Sequence, residues 1–282
     1  MQLSIFDVAF AGFRTAVKRP VSIVVWTAVM LLTVAIVGVG SFVLILGVSS
    51  LDSSAAPDFG RSFLAVGVIY LVVLCLWAVL VTAAYRMYLR PDERAFAYLR
   101  FGGAELRMIG LFFVLALLSI VGWIGLTLVG GILSVVIGQT LGGVLNLFVA
   151  LGVWAYFAVR LSLAGVVSFV EGGLGVTRSW ELTRGHFWSL FAVYLILAVL
   201  VLAVAIGLWI VQMAVQAAVL GASAPAPGDA SLMGPALLLA LGFSLLSVVV
   251  WTAQTAFLYV PHAAIYRALT PTPVQEASEV FA

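Results

Sequence analysis

The sequence predicts an all-α integral membrane protein with six transmembrane helices arranged as three helix hairpins. Three observations predict it. Of the 282 residues, 65% are hydrophobic and only 9% charged, whereas a soluble domain carries about 25% charged residues. The mean hydropathy is +1.26. The apolar residues also fall into six long runs, each near the roughly 20 residues that cross hydrocarbon. The runs lack the alternation of barrel strands, and in lipid only helices or closed barrels satisfy their own backbone.

The runs lie near 21–48, 62–85, 108–137, 141–160, 186–220 and 236–261. Several exceed 20 residues, so those helices tilt or project beyond the hydrocarbon. The first is far longer than the 7–15 residues of a signal-peptide core and is expected to remain as span 1. The chain reads as one polytopic membrane domain over 1–282, with a C-terminal tail at 271–282.

Orientation follows from the basic residues. Arg14, Lys18 and Arg19 precede span 1, and Arg86, Arg90, Arg94, Arg100 and Arg107 lie between spans 2 and 3. Arg160, Arg178 and Arg184 surround the segment after span 4, and Arg267 follows span 6, leaving only Arg61 on the opposite side. The opposite connectors carry Asp52, Asp58 and Asp229. The positive-inside rule then places both termini and both charged loops in the cytoplasm, which makes this a multi-pass cell inner membrane protein.

Each odd-numbered span is preceded by a mixed apolar and basic segment, expected to be an interfacial amphipathic helix. In the first, Phe6, Phe10, Phe13 and Val17 share one helical face, with Asp7, Arg14 and Lys18 opposite. In the third, Val176, Trp180, Thr183 and Phe187 repeat that spacing, with Arg178 and Glu181 turned away. The middle segment, 92–107, is interrupted by Gly102 and Gly103. The markers Arg19, Arg107 and Arg184 recur roughly 80 residues apart. This pattern suggests parallel internal repeats over about 1–90, 91–172 and 173–270, set around a pseudo-threefold axis.

The segment Arg160–Phe191 concentrates ionisable side chains: Arg160, Glu171, Arg178, Glu181, Arg184 and His186. Two placements of Arg160 compete. Span 4 either ends at Arg160, or continues to Glu171 and buries the arginine about 15 Å deep at 1.5 Å per residue. A deep arginine costs at least ~2.5–3.5 kcal/mol, which favours the first placement. Glu171 then returns beneath the bundle to pair with Arg160, Arg178 or Arg184. The cluster reads first as an anchoring network, and second as a basic pocket for an anionic lipid headgroup framed by Trp180, His186 and Trp188.

Within the spans the polar residues are sparse, with Asn146, Gln212 and Gln254 the principal amides. Such groups more often join helices than line a pathway. No Asp, Glu or Lys lies deep in any run, which argues against an ion-coupled transporter. There is no G-x-S-x-G elbow, H-E-x-x-H pair or Walker loop. His186 and His262 have no cysteine or carboxylate at ligand spacing, so neither a metal nor another cofactor is expected. The net charge of +2 does not suggest nucleic acid, and the single Cys75 lies inside an apolar run and forms no intramolecular disulfide.

The run Arg160, Glu171, Ser179, Trp180, Leu182, Thr183 and Gly185, with Trp188 and Phe191, resembles the cytoplasmic segment between spans 4 and 5 of a bacterial multi-pass family. These are the glycerophosphoryl diester phosphodiesterase membrane domains, which include the YciC-like inner-membrane proteins. Where that family often has a proline, this chain has Ala164 and Gly165. The phosphodiesterase of the family name belongs to a fused soluble barrel that this chain lacks, so the resemblance implies a membrane module rather than a hydrolase. The expected function is non-enzymatic: a basic cytoplasmic collar that engages anionic membrane lipids, organises the bilayer or supports a membrane-protein partner. A transporter, channel or lipid flippase using the axis between the repeats is the alternative.

Overall fold

A computed structural model describes residues 5–50, 59–93, 95–221 and 233–270, and none of these residues forms a strand. The connectors 51–58 and 222–232, with Asp52, Asp58 and Asp229, lie outside the described residues, as do Arg94 and the tail 271–282. Two short helices, α1 (Ile5–Ala9) and α2 (Ala11–Lys18), lead into α3 (Pro20–Ser50). Then come α4 (Phe59–Leu89), α5 (Gly103–Ile137) and α6 (Gln139–Leu161). The short α7 (Ala164–Val170) and α8 (Val176–Leu182) precede α9 (Phe187–Gly221) and α10 (Met233–Leu269).

Six helices, α3, α4, α5, α6, α9 and α10, are long and apolar enough to cross a membrane. Those of 31 to 37 residues reach roughly 46–56 Å at 1.5 Å per residue, well beyond a hydrocarbon core of ~30 Å. The short helices gather at one end of the bundle. There α10 packs against α2, α3, α4 and α9, and α7 wedges between α4, α5 and α10. The core lies at that end, built from Tyr85, Met108, Leu111, Leu163, Val167, Leu190 and Ile265, with Trp26, Met87, Tyr98 and Val260 beside it. Toward the other end apolar side chains such as Trp123, Ile124, Val135, Phe148 and Trp209 are exposed. In a bilayer that is stable, because lipid tails replace protein as the apolar surround.

Small residues set the closest helix contacts. A Cβ on Gly12 would lie 2.6 Å from the Phe257 carbonyl oxygen, so α2 rests directly on the backbone of α10. The aromatic face of the N-terminal segment points outward instead, with Phe6, Phe13 and Val17 more than half exposed. Gly138, at φ 88, turns α5 into α6, and a Cβ on Gly142 would lie 2.6 Å from the Ser134 amide nitrogen.

The segment before α5 departs from expectation. Among the described residues of 92–107, no helix forms before α5 beyond a single 3-10 turn. Ala95–Tyr98 make that turn, in which Phe96, Ala97 and Tyr98 are left-handed, with φ of 49°, 54° and 69°. Gly102 is then extended and α5 starts at Gly103, because paired glycines are poor helix formers. The left-handed turn is strained by roughly 1–2 kcal/mol per non-glycine residue. Hydrogen bonds hold it: Trp26 Nε1 donates to the Ala97 carbonyl at 2.8 Å, and Arg86 donates to the Tyr98 carbonyl at 3.2 Å.

Candidate functional site: an arginine and its aromatic neighbours at the basic end

Besides the exposed pairings of Arg14 with Asp7 and of Glu93 with Arg90 and Arg100, three clusters of ionisable side chains stand out among the described residues of this end. The first joins α3, α4 and α5. Arg86 and Glu105 form an ion pair, Glu105 fully buried and Arg86 6% exposed. Thr82 Oγ1 lies 2.8 Å from Glu105 Oε1, while Glu105 Oε2 is buried without a partner. Arg19 donates to the Met87 carbonyl at 2.7 Å and to the Tyr98 hydroxyl. Sequence reasoning missed this pair. Arg86 and Glu105 sit 19 residues apart in what reads as one charged loop, and the only available signal was that Arg86 ends one span as Glu105 begins the next.

The second cluster centres on Glu171, at the end of α7. Its Oε1 accepts from the Tyr266 hydroxyl at 2.9 Å, and its Oε2 lies 3.6 Å from Arg178 Nε. Arg178 also donates to Glu181 at 3.2 Å. Hydrogen bonding to Glu181 and then the Glu171 charge raise the Arg178 pKa. Of the three arginines within reach of Glu171 in sequence, the structure selects Arg178. Arg160 and Glu171 do not pair, because α7 interposes about two turns of largely buried helix between them.

Arg160 forms the third. α6 stops at Leu161, one residue beyond the boundary that the cost of a deep arginine favoured. The chain stays in helical φ/ψ through Ser162 and Leu163 but breaks there into α7, which buries Ala164, Val166, Val167, Ser168 and Phe169. The backbone carbonyl of Arg160, one of the orphans of a helix C-terminus, accepts from Ser179 Oγ at 2.8 Å. That bond ties α8 to the end of α6 and delivers Trp180 to the Arg160 side chain.

The guanidinium carbon lies 5.4 Å from the Tyr156 ring centre and 5.2 Å from that of Trp180. The two rings meet edge to face at 5.7 Å, so the three groups form a nearly equilateral triangle. The aromatic surface continues through Phe157 to Trp180 at 6.0 Å, and from Tyr156 to Phe187 at 5.6 Å. Both Nε and Nη1 of Arg160 are buried with no hydrogen-bond partner. The rings supply a cation–π attraction of about 0.5–2 kcal/mol but no negative charge. The cation is half-buried and has no carboxylate partner among the described residues.

The remaining sequence-predicted residues are placed as follows. Arg184, His186 and Trp188 are exposed, Trp188 stacking edge-on against Phe187 at 5.3 Å. Asn146 of α6 packs on Gly130 of α5, its Oδ1 buried without a partner. Gln212 and Gln254 are half-buried on α9 and α10, and no hydrogen bond among the described residues joins the three amides. Among the described residues no group of three His, Cys, Asp or Glu side chains could hold a metal ion. Searches against protein-family models, curated proteins and solved structures found no match to this chain.

Proposed function

We propose that this chain is a non-catalytic multi-pass protein of the bacterial inner membrane whose basic end, facing the cytoplasm, engages anionic lipid headgroups and so organises the bilayer or steadies a membrane partner. One observation carries the reading: among the described residues of that end cations outnumber carboxylates, and several of them have no carboxylate partner. Arg14, Arg86, Arg90, Arg100 and Arg178 have carboxylate partners. Among the described residues Lys18, Arg107, Arg184 and Arg267 are exposed, each with no ion pair, and Arg160 adds its half-buried charge. Near an anionic leaflet each such cation is worth about 1 kcal/mol of attraction.

The three hairpins also fit a repeated unit around an axis normal to the membrane. Paired short helices precede α3 and α9, and the glycine-broken turn before α5 is the divergent copy.

Native mass spectrometry of the protein extracted in a mild detergent tests the lipid reading. Phosphatidylglycerol is expected to be retained over phosphatidylcholine, and a Lys18→Ala/Arg107→Ala/Arg184→Ala variant to lose most of that preference. Equal retention of both lipids by the parent protein overturns it. Orientation is read separately, from green fluorescent protein fused after Ala282, which folds and fluoresces only if that end is cytoplasmic.

A further inference from the structure

The general collar reading treats the cations as equivalent, but their surroundings differ. Lys18, Arg107 and Arg184 extend into the open at the bundle end, where ions and water screen them. Arg160 is half-buried under the edge-to-face pair of Tyr156 and Trp180, and two of its nitrogens have neither water access nor a protein acceptor. Buried charged groups are normally paired, and the more deeply buried Arg86 obeys that rule with Glu105. Arg160 departs from it although Glu171 is only 11 residues away, because α7 sends that carboxylate to Tyr266 and Arg178.

Resting on that lipid-binding reading, we propose that Arg160 with Tyr156 and Trp180 forms one specific subsite for a phosphate ester or phosphate anion. A guanidinium presents its donors as a planar fork that matches phosphate oxygens in pairs, which an ammonium cannot do. Tyr156 and Trp180 are each more than a third exposed, so the walls that cover the fork are themselves at the surface and can yield to a ligand. Their rings offer apolar faces to the carbon portion of an ester. Below them the exposed side chains of Leu145, Phe148 and Val149 line α6, one face along which an acyl chain can lie. Ser179 fixes the height of Trp180 through the Arg160 carbonyl, so the subsite is assembled from two helices that its own backbone already joins.

The test is a titration of the purified, detergent-solubilised full chain, read by native mass spectrometry as the number of lipids that survive collisional activation. The parent is expected to hold one phosphatidylglycerol more tightly than the others. Arg160→Gln is expected to weaken that one at least tenfold, and Arg160→Lys, which keeps the charge but loses the fork, to weaken it in part. Arg184→Ala is expected to leave it in place. Trp180→Leu removes a wall without touching the charge and is expected to speed release, which keeps the test alive if Arg160→Gln does not fold.

Inorganic phosphate is added as a competitor. Displacement assigns the subsite to phosphate itself, and failure to displace assigns it to the lipid ester with its chains. If Arg160→Gln and Trp180→Leu both retain the tight lipid, the subsite is wrong. In that event loss of phosphatidylglycerol preference in the Lys18→Ala/Arg107→Ala/Arg184→Ala variant still upholds the collar, so the two ideas fail separately.

Discussion

Arg86 of α4 donates to Glu105 of α5 in a pair that water does not reach, Glu105 being fully buried. The pair does more than join two helices. The same guanidinium holds the Tyr98 carbonyl of the left-handed turn and lies 5.6 Å from the Phe169 ring of α7. The cost of desolvating two ions is of the same order as their attraction, so the pair is expected to specify the arrangement more than to stabilise it.

That balance gives a sharp expectation. Arg86→Leu or Glu105→Leu alone leaves an unneutralised buried charge and is expected to cost about 3–5 kcal/mol. Arg86→Leu combined with Glu105→Leu removes both charges and is expected to cost less than either single change. Thermal unfolding midpoints of the four detergent-solubilised proteins complete the double-mutant cycle. A double variant as unstable as the sum of the singles would show that the charges do not interact.

The six spans were legible because lipid imposes a crude rule: enough apolar residues in a row, with charges excluded. α6 ends at Leu161, but the stretch apolar enough to cross a membrane runs on through α7 to Val170, and the rule does not choose between those two ends. It has no resolution inside a charged loop. Arg86 and Glu105 look like two headgroup-facing residues among several, and only the backbone path from α4 to α5 sets them face to face. Glu171 had three arginines within reach, and the choice among them depends on how far α7 carries it. The left-handed turn carries no glycine or asparagine at Phe96, Ala97 or Tyr98, the residues that ordinarily signal positive φ.

The turn gives the second prediction. Ala97 has φ 54° and is half-buried, its carbonyl held by Trp26. Glycine removes the Cβ that makes this conformation costly, and the methyl group lost is small. Ala97→Gly is expected to stabilise by about 0.5–1 kcal/mol, the residual after glycine's larger unfolded-state entropy. Ala97→Val, β-branched at a left-handed position, is expected to destabilise. Unfolding midpoints that fall in the opposite order would mean the turn is not left-handed in solution.

A third prediction concerns Arg178, whose pKa is raised first by its hydrogen bond to Glu181 and then by Glu171. A raised basic group contributes fully at every pH below its unfolded value and loses the contribution only as pH climbs through the folded value, which for arginine lies far into alkali. The small stability difference between parent and Arg178→Gln is therefore expected to stay constant from about pH 6 to 9, above the ordinary Glu range near 4.3. Salt is expected to erase it, since the pairs are exposed and screened. A difference that grows with salt at fixed pH would contradict the ion-pair origin.

The last prediction separates the two places where backbone meets backbone. Gly12 abuts the Phe257 carbonyl and Gly142 the Ser134 amide, so in neither case can a flexible side chain move aside for a new Cβ. One of the helices must shift instead, at a typical cost of about 1–3 kcal/mol for overpacking. The consequences differ because the helices differ. α2 is eight residues long and lies outside the spans, so Gly12→Leu is expected to peel it from α10 while the six-helix bundle persists. Trypsin cleavage after Arg14 or Lys18 should then speed up with little change in the unfolding midpoint. α5 and α6 are spans, and Gly142→Leu pries apart the contact where Gly130 and Asn146 also meet. That variant is expected to lower the unfolding midpoint while N-terminal cleavage stays slow. If Gly12→Leu instead unfolds the whole bundle, α2 is an integral part of the core rather than a strap laid across it.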